Sequence, residues 1–124
     1  MTKVESYEDL VVWQKAHELV LKTYEVTKSF PAKEQFGLVL QLRRSLVSVP
    51  ANIVEGFNRY HLKEYLQFLN IAKGSLGEGE YYIRLAKDLG YISEEEFQSI
   101  YKHCNEVGRM LSGLLKSLKK CNCE

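Results

Sequence analysis

Apolar side chains recur at steps of three and four along almost the whole chain, a spacing that only an α-helix gathers onto one face. The cleanest run is Leu62, Tyr65, Leu69, Ala72, Leu76, Gly79, Ile83 and Ala86, and Gly90 follows it as a helix-ending residue. Strand-type alternation is missing, and only two prolines, Pro31 and Pro50, punctuate the sequence. The expected fold is therefore all-α: an antiparallel up-down-up-down four-helix bundle.

The spacing predicts helices over 7–29, 32–59, 61–89 and 94–119. The first opens on Ser6-Tyr7-Glu8-Asp9, which reads as a capping box. It carries two adjoining stripes, Leu10, Trp13, His17, Val20, Tyr24 and Thr27 beside Val12, Ala16, Leu19, Thr23 and Val26. Together they make a face wider than a coiled-coil seam needs. Phe30-Pro31 forms the corner, with Pro31 suited to the first turn of helix two. That helix carries Phe36, Val39, Leu40, Arg43, Leu46, Val47, Ile53, Val54 and Phe57. The pattern continues past Pro50, so a kink near Val47 is expected instead of a stop, with the end close to Arg59 after Gly56. Ser93-Glu94-Glu95-Glu96 caps a fourth helix bearing Phe97, Ile100, Cys104, Val107, Leu111, Leu114 and Leu118.

A chain of 124 residues can bury one core, and no linker divides it, so residues 1–120 read as one domain with a frayed tail at 121–124. No run approaches the ~20 apolar residues of a membrane span, and the start lacks a signal-peptide pattern. Cys104, Cys121 and Cys123 are odd in number and two sit at the very end, a reduced-compartment pattern. A cytoplasmic protein without a membrane partner is expected.

Motifs of catalysis and cofactor binding fail one by one. None of His17, His61 and His103 has a glutamate three residues before it, as a di-iron bundle requires. His17-Glu18 lacks the second histidine of a zinc-protease helix, because Leu21 stands there. Gly74-Ser75-Leu76-Gly77-Glu78-Gly79 has no Gly-Lys-Ser/Thr ending and no strand before it. Its small residues read as a place where another helix comes close. Cys121-x-Cys123 has no further ligands, and Cys104 reads as a small core hydrophobe. No enzyme activity, metal or cofactor is expected.

Arg43 lies on the apolar stripe and so calls for a partner. Glu55 shares its helix face but lies twelve residues on, out of direct reach unless another helix intervenes. Asn52 and Glu55 flank Pro50, which leaves a carbonyl without its donor, so the segment reads first as architecture and second as function.

Six strings carry a resemblance: Leu10-Val11-Val12-Trp13-Gln14-Lys15-Ala16; Phe30-Pro31 with Glu34; Gln41-Leu42-Arg43-Arg44-Ser45; Ser48-Val49-Pro50-Ala51-Asn52-Ile53-Val54-Glu55-Gly56; Tyr65-Leu66-Gln67-Phe68-Leu69; and Ile71-Ala72-Lys73-Gly74-Ser75-Leu76. Over about Tyr7 to Leu118 the chain resembles the four-helix proteins encoded in 23S ribosomal RNA intervening sequences, relatives of the accessory protein of diversity-generating retroelements. The resemblance implies a ring-shaped homopentamer, nucleic-acid binding on a basic surface and no known catalysis. One departure is visible: Gly77-Glu78-Gly79-Glu80 replaces an alanine and acidic-leucine run, which implies a looser middle of helix three.

Charge bears on the binding expectation. Seventeen basic side chains face sixteen acidic ones, a net charge of only +1. Locally the balance tips: residues 102–120 hold Lys102, Arg109, Lys116, Lys119 and Lys120 against Glu106. Residues 31–73 hold Lys33, Arg43, Arg44, Arg59, Lys63 and Lys73 against three acids. The nucleic-acid contacts expected are Arg44, Arg59, Lys63, Lys116, Lys119 and Lys120, with RNA or DNA as partner. The structural motif is Arg43, Pro50, Asn52, Glu55, Gly56 and Gly74. The competing expectation is a scaffold ring that binds a protein partner through exposed aromatics, eight tyrosines being generous for this length.

Overall fold

The computed structural model describes residues 4–121. Four helices dominate: α1 (Val11–Thr27), α2 (Leu38–Phe57), α3 (Leu62–Asp88) and α4 (Glu94–Cys121). Single 3₁₀ turns precede the first two, at Tyr7–Asp9 and Ala32–Glu34, and no strand occurs among the described residues.

Contacts between side chains give the directions. Ser48 meets Ser75 and Gly79 meets Leu46, so α2 and α3 run oppositely. Arg84 lies over Phe97 and Lys87 pairs with Glu94 at one end of the α3–α4 seam. Lys73 and Ser112 line one cavity further along it. Lys15 pairs with Glu106, and Lys22 bonds Ser99, across α1 and α4. Each helix therefore packs against its two neighbours in an antiparallel square.

The core follows the expected stripes of α3 and α4 closely, but on α2 it shifts: Leu38, Leu42 and Val49 are buried beside Val39, Leu46 and Ile53, while Phe36, Leu40 and Val47 of the expected stripe are exposed. Leu19, Leu42, Leu46, Ile53, Leu69, Ile83, Ile100 and Leu111 are fully buried, with Ala16, Ala72, Ala86 and Cys104 filling the closer gaps. At the far end of α4 Leu115 is the buried residue, while Leu114 and Leu118 pack half-buried at its rim, a shift of one position from the sequence reading.

One of the two stripes of α1 is the interior one. Val12, Ala16, Leu19 and Thr23 of the second stripe are buried, whereas of the first only Thr27 is buried, Tyr24 is exposed and Trp13 only partly covered. His17, on the first stripe, is exposed and stacks on Trp13 at 5.1 Å.

The two N-terminal boundaries also move. The Ser6 box holds the 3₁₀ turn instead of the helix: the amides of Glu5 and Ser6 donate to Asp9 Oδ2 at 2.9 and 3.1 Å, and α1 begins at Val11. Those two amides hold the Asp9 carboxyl below its usual range. Helix two begins at Leu38, not at residue 32, because Gly37 adopts φ −111°, ψ −107° and breaks the spiral. Glu34 then serves as a cap that the sequence reading missed. Its Oε1 accepts the Leu38 amide at 3.3 Å and its Oε2 accepts the Tyr91 hydroxyl at 2.8 Å.

The Ser93 box is complete, with Glu96 N–H donating to Ser93 Oγ and Ser93 N–H to Glu96 Oε1. Gly90, at φ 81°, closes α3, and the Tyr91 amide donates back to Ala86 O. Pro50 is buried inside a continuous α2, and α3 is unbroken through Gly77 and Gly79.

Candidate nucleic-acid interface

Helix geometry sorts the expected basic residues onto different faces. On α4, Asn105, Arg109, Ser112, Lys116 and Lys119 recur at alternating steps of four and three, forming one polar stripe beside the buried one. On α3, Asn70, Lys73, Gly77 and Glu80 do the same. The two stripes face each other across a groove of two adjoining cavities, about 520 and 260 Å³, which share Lys73 and Ser112. The structure thus brings Lys116 and Lys119 together with Lys73, and Arg109 lies further along the same groove. Lys120 is exposed in the last turn of α4.

Lys73 and Arg109 were counted in the sequence charge balance but not chosen as contacts. The signal that finds them is the period of the polar residues, read as carefully as that of the apolar ones. Glu80 is the one carboxylate lining this groove among the described residues. Burial pushes its carboxyl up, favouring the neutral form. Its charge, after burial itself, also raises the Cys104 thiol, to about 12, so Cys104 remains a neutral core side chain.

The other expected contacts stand elsewhere. Arg44 lines a separate 260 Å³ cavity between α1 and α2 with Tyr24, Leu40, Arg43 and Val47. Arg59, at the α2–α3 corner, pairs with Glu55 at 2.5 Å and Glu64 at 3.6 Å and lies 4.8 Å over the Phe68 ring. Lys63 is exposed in the first turn of α3, one heptad before Asn70 and so on nearly the same face.

One partner assignment changes. Arg43 is half-buried and, among the described residues, is in no ion pair. Its Nε donates to Thr27 Oγ1 at 2.9 Å, and its guanidinium lies 4.3 Å over the Tyr24 ring. Glu55 is about 18 Å further along α2 at 1.5 Å per residue, while the end of α1 is adjacent. Asn52 reaches the carbonyl and hydroxyl of Ser48, both at 2.8 Å, and Ser48 bonds Ser75 across the α2–α3 seam at 2.9 Å.

The glycines divide in the same way. A Cβ on Gly56 would meet Phe68 Cβ at 2.9 Å, and one on Gly79 would meet Leu46 Cδ2 at 2.3 Å, so both allow α2 and α3 their close approach. A Cβ on Gly74, Gly77 or Gly113 would meet nothing within 4 Å. Each such glycine costs the helix ~1 kcal/mol with no compensating contact inside the protomer.

Among the described residues no group of three or more His, Cys, Asp or Glu side chains could hold a metal ion, and no helix is long and apolar enough to cross a membrane. The Cys121-x-Cys123 pair and the expected frayed tail reach outside the described residues.

Residues 8–113 match the family described as 23S rRNA-intervening sequence protein. The chain belongs to that family. A crystal structure at 1.70 Å of a protein of unknown function from the S23 ribosomal protein family of Bacteroides thetaiotaomicron VPI-5482 is similar to it, with 28% identity and a TM-score of 0.80. The similarity covers 86% of this chain and 96% of that one. No curated protein matches. The string Ser48 to Gly56, which carries much of the resemblance to the intervening-sequence family, lies at the α2–α3 seam through Ser48, Asn52 and Gly56. It identifies the architecture and contributes nothing to the α3–α4 groove.

Proposed function

We propose that this intervening-sequence protein is a non-enzymatic protein that assembles with itself and binds nucleic acid through phosphates, without reading bases. The observation that carries the reading is the concentration of Lys73, Arg109, Lys116 and Lys119 along one groove against a single, partly buried Glu80. Elsewhere Arg59 is paired with two carboxylates and Lys15 with Glu18 and Glu106. In a ring such as the family resemblance implies, one modest patch per protomer is repeated about the axis and its field adds.

Anisotropy titration with a structured RNA across an ionic-strength series tests this. Binding is expected at low salt, with log affinity falling against log salt by about 0.7–0.9 per phosphate neutralised. Replacing Lys116, Lys119 and Lys120 by alanine weakens binding and flattens the slope, with helicity and oligomer size unchanged. Absence of binding at low salt rejects the reading.

A second reading, a scaffold for a protein partner, is favoured by one surface. Leu21, Tyr24, Leu40 and Val47 are exposed along α1 and α2, and Phe36, in the turn before α2, is 89% exposed. Exposed apolar clusters of this kind mark association surfaces. Capture of a partner that survives high salt supports the scaffold, whereas salt-sensitive RNA binding supports the first reading.

A further inference from the structure

We propose that the α3–α4 groove seats a single strand of nucleic acid, with Lys73 and Arg109 holding phosphates on its two walls and Tyr81 stacking a base at its rim. This rests on the nucleic-acid reading above and specifies its site and substrate class.

Three observations lead there. First, the groove is long. Its two cavities adjoin through Lys73 and Ser112 and run from Glu80 and Asn105 to Asn70 and Lys119. That is about 21 Å along α4 at 1.5 Å per residue. It is a furrow on the surface above the α3–α4 contact, and one extended sugar-phosphate chain can lie along it.

Second, cations stand on both walls, Lys73 on α3 and Arg109 and Lys116 on α4, and among the described residues none of these three is in an ion pair. The α1–α4 groove differs: Lys15 there is already paired with Glu18 and Glu106. The charge of the α3–α4 groove is therefore complementary to a polyanion lying along it, and Asn70, Asn105 and Ser112 add neutral hydrogen-bonding groups for sugars and base edges.

Third, an aromatic platform stands beside the channel. Tyr81 is 60% exposed and lies one turn beyond Gly77 on the same side of α3. A basic groove that follows the backbone beside an exposed ring is the combination that binds single strands, because only an unpaired base offers its face for stacking. Gly77 leaves the channel open beneath Tyr81: a Cβ there meets nothing within 4 Å.

The test is fluorescence anisotropy with a labelled oligo-dT and oligo-U single strand and a duplex of equal length, across salt. The wild-type protein is expected to bind the single strands at least about tenfold more tightly than the duplex. The Lys73→Ala, Arg109→Ala double variant should lose about tenfold or more and flatten the single-strand salt slope by roughly 1.4, or 0.7 per phosphate contact. Tyr81→Ala should lose at least about fivefold without changing the slope, and Tyr81→Phe should bind as wild type. Gly77→Leu, which alters no charge, should block the channel and lose about tenfold while retaining helicity by circular dichroism.

Equal affinity for duplex and single strand overturns the proposal. So does wild-type affinity in both the double variant and Gly77→Leu. Loss of binding confined to alanine variants of Arg44, Arg59 and Lys63 overturns this site while leaving nucleic-acid binding intact. Failure of the wild-type protein to bind any strand at low salt rejects the underlying reading itself.

Discussion

Gly77 and Gly79 lie two residues apart on α3 and face different surroundings, because two steps of the helix turn the chain by about 200°. Gly79 is pressed against Leu46, and Gly77 faces open space. Alanine should therefore have opposite effects at the two. Gly79→Ala forces Leu46 or the backbone to shift and is expected to destabilise by about 1–3 kcal/mol. Gly77→Ala removes a helix-propensity cost and should stabilise by up to ~1 kcal/mol. Urea midpoints of the two variants, at unchanged m-value, check both signs. Arg43 shows the same dependence on surroundings. The sequence demanded a partner for a guanidinium on an apolar stripe, and the bundle supplies a hydroxyl and a ring in place of a carboxylate.

At the scale of elements, the helices are set by side-chain period and their ends by local chemistry. The Ser93 box and Gly90 involve residues within five positions of each other, so they were legible in advance. The cap of α2 was not, because Glu34 is fixed by Tyr91, 57 residues away. The Tyr91 hydroxyl first, then the Leu38 amide, hold the Glu34 carboxyl below its usual range. A carboxylate whose folded value is depressed contributes stability above its unfolded value and loses it as pH falls through the folded one. Wild-type protein should thus exceed Glu34→Gln in stability at neutral pH. The difference should shrink as pH drops through the acid range of Glu34, and Tyr91→Phe should show the same convergence. Thermal unfolding of the three proteins between neutral and acid pH measures it.

For the whole molecule the expectation is self-assembly. The outer stripe of α1 and the exposed residues of α2 leave Leu21, Tyr24, Leu40 and Val47 without cover in one protomer. Arg44 lines one cavity with Tyr24, Leu40 and Val47. Light scattering is expected to give a homo-oligomer at micromolar concentration, a pentamer by family resemblance, and Leu40→Glu should reduce it to smaller species with helicity retained. A wild-type monomer would remove assembly from the proposed function. The α1–α2 surface and the α3–α4 groove are lined by different residues, so Leu40→Glu is expected to leave the groove itself unchanged.

The sequence by itself determined the helix count, the core stripe of α3 and most of that of α4, two of the caps and the family. Each of these is a short-range pattern, and a period of 3.6 converts it directly into a buried face. Tertiary structure decided which stripe of α1 is interior, what Arg43 and Glu55 pair with, and which glycines are pressed against a neighbour. It also decided which lysines belong together. Lys73 and Lys116 are 43 positions apart in the chain, and only the antiparallel return of α4 along α3 sets them on one groove. Charge along a chain is a count, but a binding surface depends on which helix faces meet, and long-range packing alone fixes that.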